Sequence, residues 1–269
     1  MTETPKSAVI TGAASGIGLG LAREAANRGI RLVLADRDAT ALAAAADELP
    51  DALAVPTDVA DPAAVEALAD AAYQRLGQVD LLFNNAGIMA TGFSWEIEPA
   101  RWDASLKVNV GGVLNGIRAF VPRMLRAARP ARIINTASVG GFNPSPLMAP
   151  YSATKFAVVA LTESLKGELD MLGAPIAVSL LAPGPVRSAI FDDPFGGEIH
   201  PATGKFVEAL RGMIGQYGMD PEPFAAAVFD AIARGDYWIV PQPEALDPML
   251  DRRYAMIAKR EQPSFDFLS

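Results

Sequence analysis

The chain has 269 residues, of which 51% are hydrophobic and 20% are charged, so it can bury a sizeable core and is not expected to be disordered. Its net charge of −8 argues against a nucleic-acid or anionic-membrane partner, because such a surface needs a basic patch to replace counterions. It has no cysteine and one histidine, which excludes disulfides, thiol nucleophiles and cysteine or multi-histidine metal sites, and we expect no metal.

The sequence contains no sign of a targeting signal or a membrane-spanning stretch. Residues 1–6 lack the basic and apolar regions of a signal peptide, and no apolar run approaches the length that crosses a bilayer. We therefore expect a cytoplasmic protein. No linker composition interrupts the pattern before about residue 190, which favours a single domain over residues 1–269.

Short aliphatic runs alternate with longer amphipathic segments from residue 7 to about residue 182, which is typical of a parallel sheet covered by helices on both faces. Parallel crossovers are almost always right-handed, so we expect a Rossmann-type, doubly wound α/β fold. The predicted strands are residues 8–11, 31–35, 52–55, 81–84, 132–136, 176–182 and 237–240. The predicted helices are residues 16–28, 39–49, 62–76, 99–125 and 151–172, with glycine caps at Gly29, Gly77 and Gly173.

The regular alternation breaks down between residues 189 and 220, a stretch rich in Asp, Pro and Gly. Long loops inside compact domains are uncommon unless they are functional, and this one follows a strand whose carboxyl end should border the ligand crevice. We interpret it as a mobile substrate lid, with an ordinary surface excursion as the alternative. Residues 241–269 are interpreted as a C-terminal extension.

A glycine-rich turn follows the first predicted strand and leads into a helix. Its glycines permit a tight turn and a close approach of the backbone to a pyrophosphate, whose charge is met by free amides and the positive end of the helix dipole. An ordinary glycine-rich connection is the alternative. The residues expected to bind a dinucleotide here are Gly12, Ser15, Gly16, Ile17 and Gly18.

The second predicted strand is followed by Asp36, where a carboxylate can accept hydrogen bonds from the adenosine ribose and repel a 2′-phosphate. This favours NAD over NADP, although the adjacent Arg37 could bind that phosphate. A helix cap and a solvated charge are the alternatives for these two residues. Further cofactor contacts are expected after the third and fourth strands, from Asp58, Val59, Asn85, Ala86 and Gly87.

Tyr151 and Lys155 stand four residues apart on a predicted helix, so the ammonium can lie beside the phenolic oxygen. Free tyrosine titrates near about 10, and we expect the neighbouring cation to lower its pKa toward the working range. Ser138, after the fifth strand, can hydrogen-bond the carbonyl oxygen that develops as hydride leaves an alcohol carbon. Singly, each residue also has an ordinary structural explanation.

In these motifs the sequence resembles the short-chain dehydrogenases/reductases over about its first 190 residues. The matching motifs are Thr11-Gly12-x-x-x-Gly16-x-Gly18, Asn84-Asn85-Ala86-Gly87, Asn109, Ser138, Tyr151-x-x-x-Lys155 and Pro183-Gly184. The resemblance implies that Asn109 holds a water that links Lys155 to solvent. It also implies a homodimer or homotetramer, and a loop that touches the nicotinamide carboxamide, with contacts from Pro183, Gly184, Val186 and Ser188.

The expected pocket is largely apolar and aromatic, which suits a hydrophobic or aryl ketone or secondary alcohol better than a sugar or a charged acid. The residues expected to line it are Met89, Gly140, Gly141, Phe142, Met148, Phe191 and Phe195, with core packing as the alternative for each aromatic ring. His200, in the expected lid, is interpreted as an exposed loop residue. The sequence thus predicts an NAD(H)-dependent alcohol–ketone oxidoreductase. The alternatives are an NADP(H)-linked carbonyl reductase and a non-catalytic dinucleotide-sensing protein.

Overall fold

The computed structural model describes residues 5–194 and 199–265. Within these residues one parallel sheet contains the strands β1 Ser7–Thr11, β2 Arg31–Asp36, β3 Ala52–Pro56, β4 Leu81–Asn84, β5 Ala131–Thr136, β6 Ile176–Leu181 and β7 Trp238–Ile239. Their order across the sheet is β3-β2-β1-β4-β5-β6-β7. The direction of winding reverses between β1 and β4, which is where open α/β sheets bind ligands at the carboxyl ends of the strands.

The helices in the described residues are α1 Gly16–Asn27, α2 Ala39–Asp47, α3 Pro62–Leu76, α4 Pro99–Ser105, α5 Gly112–Ala127, α6 Ala149–Met171, α7 Pro201–Tyr217, α8 Pro221–Arg234 and α9 Pro243–Lys259. Helices α1 and α8 pack on one face of the sheet, through a cluster that includes Leu21 and Phe224. Helices α3, α5 and α6 cover the other face, through Leu68, Phe120 and Leu165. The prediction of a doubly wound Rossmann-type fold is confirmed.

The burial of the strands explains their sequence pattern. Every residue of β1 and of β5 is buried, because a parallel sheet with helices on both faces leaves no solvated side. Strand β3 lies at the edge, and none of its residues is fully buried. The inner strands are therefore continuous apolar runs, which is why they could be recognised in the sequence.

The helix termini use the capping residues that the sequence indicates. Asp38 accepts hydrogen bonds from the amides of Thr40 and Ala41 at the start of α2, and Asp61 caps α3 in the same way. Gly77 and Gly173 have positive φ angles of 74° and 59° just after α3 and α6. The predicted boundaries of these elements are therefore close to the observed ones.

The predicted helix over residues 99–125 is confirmed as a continuous helical segment, but it is not α-helical throughout. Between α4 and α5 the chain forms a π-helical turn, Leu106–Gly111, which buries Asn109 completely. Such turns commonly occur at functional sites, because the wider turn redirects one side chain toward the interior. The first residue of α5 has no room for a side chain, since a Cβ on Gly112 would lie 2.8 Å from Cγ2 of Val59.

The prediction of an irregular segment over residues 189–220 is wrong, because α7 occupies more than half of it. His200 caps this helix by accepting a hydrogen bond from the amide of Ala202 at 3.1 Å, and Pro201 follows as its first residue. The C-terminal extension likewise contains α9. In the part of the chain that the structure describes, no helix combines the length and apolar character needed to cross a membrane.

Candidate active site

The carboxyl ends of β1 and β4 are held together by the side chains of Thr11 and Asn85. The Thr11 hydroxyl donates to the carbonyl of Phe83 and accepts from the amides of Asn85 and Ala86 at 2.9 and 3.1 Å. The Asn85 side-chain amide donates to the Thr11 carbonyl at 3.0 Å. These bonds bring Asn85 and Ala86 beside the glycine-rich turn, as the sequence predicts.

The glycine-rich turn requires glycine at three positions, because a Cβ on Gly18 would lie 1.9 Å from the carbonyl oxygen of Gly12, and Gly12 and Gly16 are restricted as well. Gly12 and Gly16 have φ angles of +67° and +51°, and a Cβ at either position would lie 2.8 Å from a neighbouring carbon, on Ala86 and Ser188 respectively. Ser15, the N-cap residue of α1, makes no side-chain cap hydrogen bond. The first amides of α1, which include those of Ile17 and Gly18, are therefore open to an anionic group such as a pyrophosphate.

Asp36, the last residue of β2, is hydrogen-bonded to this turn. Its carboxylate accepts hydrogen bonds from the amides of Ala14 and Asp38, both at 3.1 Å. Arg37 is exposed, and so is Asp58, whose carboxylate accepts from the amide of Ala60. Val59 is buried and packs against Gly112.

A serine, a tyrosine and a lysine come together at the carboxyl end of β5. The Lys155 ammonium donates to the Thr136 carbonyl at 2.8 Å and lies 5.6 Å from the centroid of the Tyr151 ring. A side-chain hydrogen bond joins Tyr151 to Ser138, whose hydroxyl also accepts from the Gly140 amide at 3.1 Å. The exposed fractions of Ser138, Tyr151 and Lys155 are 8%, 8% and 4%. The three polar groups thus form one buried cluster.

Burial controls the protonation of this cluster. It raises the pKa of Tyr151, and the hydrogen bond with Ser138 only partly opposes that rise. Burial also lowers the pKa of Lys155 to about 8. The prediction that the tyrosine pKa is lowered is therefore wrong, because loss of solvent disfavours both charged forms. The neutral phenol, a proton donor, is the favoured form.

Asn109 is connected to the same cluster through Thr154. The Asn109 amide nitrogen donates to the Ile88 carbonyl and to the Thr154 hydroxyl, both at 3.0 Å. The Thr154 hydroxyl donates in turn to the carbonyl of Tyr151 at 2.8 Å. Thr154 was not predicted as a site residue, although a threonine between the tyrosine and the lysine on a helix is a signal that could have been used.

A small space separates Asn109 from Lys155. A Cβ on Gly87 would lie 3.4 Å from Oδ1 of Asn109 and 3.5 Å from Nζ of Lys155. Oδ1 also accepts a hydrogen bond from the amide of Ile88 at 2.8 Å. The amide and the ammonium therefore flank one position beside Gly87, an arrangement compatible with the linking water that the resemblance implies.

The loop of residues 183–188 lies between Ser138 and the glycine-rich turn. The Pro183 carbonyl accepts a hydrogen bond from the amide of Val139 at 3.0 Å, and Ser188 lies against Gly16. Val186 is buried and forms an isolated parallel bridge with Met219. The structure thus brings this loop to the cleft between the glycine-rich turn and the Ser138–Tyr151–Lys155 cluster.

An apolar cluster surrounds the Tyr151 ring. Met89 and Phe191 are buried there, and Met148 packs against them, so three of the predicted lining residues are brought to the tyrosine. Sequence reasoning missed four residues of α7 in this cluster: Phe206, Val207, Leu210 and Ile214. Positions 207, 210 and 214 follow the i, i+3, i+7 spacing of one helix face, and this spacing was the available signal.

The structure contradicts the placement of Phe142 in this pocket. Its ring packs in a separate cluster with Val158 and Leu180 and makes an edge contact with Trp238 at 5.9 Å. Gly140 does lie beside Tyr151, because a Cβ there would be 3.3 Å from Cε1 of the ring. Phe195 lies outside the described residues.

Comparisons with known proteins agree with this geometry. A family model described as short chain dehydrogenase matches residues 6–195. A 1-deoxy-11-beta-hydroxypentalenate dehydrogenase of Streptomyces avermitilis is 37% identical over 247 residues, which cover 90% of this chain and 86% of that relative. A C alpha-dehydrogenase of a Sphingobium species is 34% identical over 263 residues, covering 93% of this chain and 85% of the relative.

Among solved structures, a short chain dehydrogenase/reductase from Burkholderia phymatum in complex with NAD superposes with a TM-score of 0.92. It is 38% identical in sequence, and the match covers 97% of each chain. The similarity therefore extends past residue 195, where the family match ends, and includes the C-terminal part of the chain.

Proposed function

Because this chain belongs to the short-chain dehydrogenase family, we propose that it is an NAD(H)-dependent enzyme that interconverts a hydrophobic or aryl secondary alcohol and its ketone. The chain is an oxidoreductase that acts on CH–OH groups and binds a nicotinamide dinucleotide. The observation that carries the proposal is the buried ammonium of Lys155 beside the Tyr151 ring, in a cleft that begins at the glycine-rich turn.

The proton transfer is assigned to Tyr151. In reduction the neutral phenol gives its proton to the substrate oxygen, and in oxidation the phenolate takes it back. The Ser138 hydroxyl hydrogen-bonds the same oxygen, and the Lys155 ammonium stabilises the phenolate that forms. A bound nicotinamide dinucleotide supplies or accepts the hydride. Asn109 and Thr154 hold the helix backbone at Tyr151 through their hydrogen bonds.

The glycine-rich turn, Asp36 and the 183–188 loop are assigned to the dinucleotide. The uncapped amides of α1 suit its pyrophosphate, and Gly12 and Gly16 let it approach the backbone. The residues assigned to this site are Gly12, Ser15, Gly16, Ile17, Gly18, Asp36, Arg37, Asp58, Val59, Asn85, Ala86, Gly87, Tyr151, Lys155, Pro183, Gly184, Val186 and Ser188.

The apolar cluster supports a hydrophobic substrate, because Met89, Met148, Phe191 and the inner face of α7 pack around the Tyr151 ring, next to the group assigned to the substrate oxygen. We expect turnover of apolar secondary alcohols with NAD to rise with apolar size, by about fourfold in kcat/KM for each added methylene that is buried. A panel of aliphatic, alicyclic, aryl and charged alcohols, followed by NADH absorbance, measures this. A preference for sugars or charged acids would contradict the substrate class, and NADH binding without any turnover would favour a dinucleotide sensor.

The preference for NAD is assigned to the charge of Asp36. We expect the Asp36→Asn variant to lower the ratio of kcat/KM for NAD over NADP by about tenfold or more, which is about 1.4 kcal/mol. The side chain keeps its size and its acceptor for the Ala14 amide, loses the hydrogen bond from the Asp38 amide, and no longer repels a 2′-phosphate. Steady-state kinetics with the two cofactors, at matched substrate concentration, measure the ratio.

The matched control is Asp47→Asn, an exposed acid at the end of α2, which should leave the ratio unchanged. A wild-type enzyme that uses NADP as well as NAD would contradict the assignment and favour a phosphate contact from Arg37.

The assembly is assigned as a homodimer or homotetramer. Leu106 and Leu114, on the π-helical turn and on α5, are 47% and 41% exposed. At the C-terminal end of α6, Met171 and Leu172 are 87% and 67% exposed. Exposed apolar side chains on these long helices support subunit contacts through them.

A further inference from the structure

Gln242 is a buried amide in the segment between β7 and α9. It is 4% exposed, and its side-chain nitrogen donates to the carbonyl of Pro185 at 2.8 Å. It stands at the N-cap position of α9, but its side chain makes no capping hydrogen bond to that helix. Its polar group is therefore directed at the 183–188 loop and not at its own helix.

The amide is not required to satisfy that loop. The Pro185 carbonyl also accepts a hydrogen bond from the Met219 amide at 2.9 Å, so it keeps a partner without Gln242. The side-chain oxygen of Gln242 has no hydrogen-bond partner among the described residues. Because an unpaired buried acceptor is destabilising, an apolar side chain of this size would serve the stability of the fold at least as well.

The side chain of Gln242 lies directly against the 183–188 loop. Its oxygen would lie 3.0 Å from a Cβ on Gly184, so the amide fills the space directly behind the middle of the loop. The two ends of the loop contact the groups of the candidate active site, Val139 next to Ser138 at one end and Gly16 at the other. A shift of Gly184 and Pro185 would therefore change the cleft between Ser138 and the glycine-rich turn.

We propose that Gln242 is a positioning residue that holds the 183–188 loop in the geometry required for dinucleotide binding. This inference rests on the proposed function, because it assigns the loop to the dinucleotide. Helix α9 reinforces the contact, since Ala245 also lies close behind Gly184 and the Met249 sulfur accepts a hydrogen bond from Asn143 at 3.5 Å. The C-terminal segment thereby sets the cofactor affinity of a cleft that earlier residues form.

The test is the Gln242→Met variant, which keeps the length of the side chain and removes its hydrogen bond. We expect the Kd for NADH, measured by calorimetry, and the KM for NAD to rise three- to tenfold, the effect of losing one neutral hydrogen bond. At saturating NAD, kcat should stay within about twofold, because proton transfer does not use Gln242. The Tm of the ligand-free protein should be unchanged or higher, because the unpaired acceptor is gone.

A second variant, Gln242→Glu, keeps the shape, and its ionised carboxylate cannot donate to the Pro185 carbonyl, so it should weaken NADH binding at least as much at a pH where the carboxyl group is ionised. The control is Gln74→Met, an exposed glutamine on α3, which should bind NADH as the wild type does. A folded Gln242 variant with wild-type affinity for NADH overturns the inference, and so does failure of both variants to fold. Wild-type protein that neither binds NADH nor turns over alcohols would instead contradict the proposed function.

Discussion

The Tyr151→Phe variant is expected to lower kcat by about 10²- to 10⁴-fold, the range that a positioned general acid–base group contributes. The change removes the phenolic proton and the hydrogen bond to Ser138, while the ring keeps its place in the apolar cluster. NADH should still bind, with a Kd within about threefold of the wild-type value, because Tyr151 is one of many residues assigned to the dinucleotide and its ring keeps its place. Kinetics at saturating substrate, together with a binding titration, measure both quantities.

Tyr237→Phe is the matched control for this experiment. Its hydroxyl is buried without a hydrogen-bond partner in the described part of the chain, and burial raises its pKa to about 12. Removing that hydroxyl should leave kcat unchanged and should not lower the Tm. If Tyr151→Phe keeps more than about a tenth of wild-type kcat, the proton must come from another group and the assigned mechanism is wrong.

The Lys155→Met variant is expected to lose activity and to gain stability at neutral pH. Without the ammonium, nothing stabilises the phenolate of Tyr151, so kcat should again fall by about 10²-fold or more. The stability gain follows from burial of the charge, which lowers the pKa of Lys155 from 10.5 to about 8. A difference of this size corresponds to about 3 kcal/mol at most, and loss of the bond to Thr136 offsets about 1 kcal/mol of it.

The sign of the pH dependence follows from proton binding. Between pH 8 and pH 10.5 the unfolded chain binds a proton at Lys155 that the folded chain does not, so wild-type stability rises with pH across this window. Below about pH 8 the full cost of the buried charge is present. The advantage of Lys155→Met in the free energy of unfolding should therefore be largest at pH 7 and shrink toward pH 10, as measured by urea titration.

Lys166→Met provides the control, because Lys166 lies on the same helix, is partly exposed and forms an ion pair with Asp170. It should change the free energy of unfolding by less than about 1 kcal/mol, without the pH trend. A Lys155→Met variant that is less stable than the wild type at pH 7 would mean that the lysine carries no buried charge in the folded protein. A stability gain paired with lost activity is the usual sign of a residue kept for function.

We expect α7 to influence the proposed substrate preference, although no α7 residue was predicted to line the pocket. Val207 is completely buried, and Phe206 packs with it against the cluster that contains the Tyr151 ring. The Phe191 carbonyl accepts a hydrogen bond from Nε of Arg211, which ties α7 to the segment before it. The inner face of α7 therefore belongs to the apolar cluster around Tyr151, and we expect changes along this face to alter substrate choice before they alter proton transfer.

Much of the fold and of the candidate site could be predicted from the sequence, because these features depend on local chemistry. The glycine-rich turn, the acid at the end of β2 and the spacing of Tyr151 and Lys155 each depend on near neighbours in the chain, and the structure brings them to one cleft. The strands were recognisable because a doubly covered parallel sheet requires continuous apolar runs. The helix caps at Asp38 and Asp61 are equally local.

Only the tertiary structure decided the features that depend on what packs against a residue. The sequence has no marker for the π-helical turn at Asn109. This turn ends directly before Gly112, which packs closely against Val59. Phe142 could have faced either side of its loop, and contacts with Val158 and Trp238 decided which. The pKa of Tyr151 is raised and not lowered because the phenol is buried. The degree of burial depends on which elements pack around the group, and this cannot be read from the spacing of residues in the sequence.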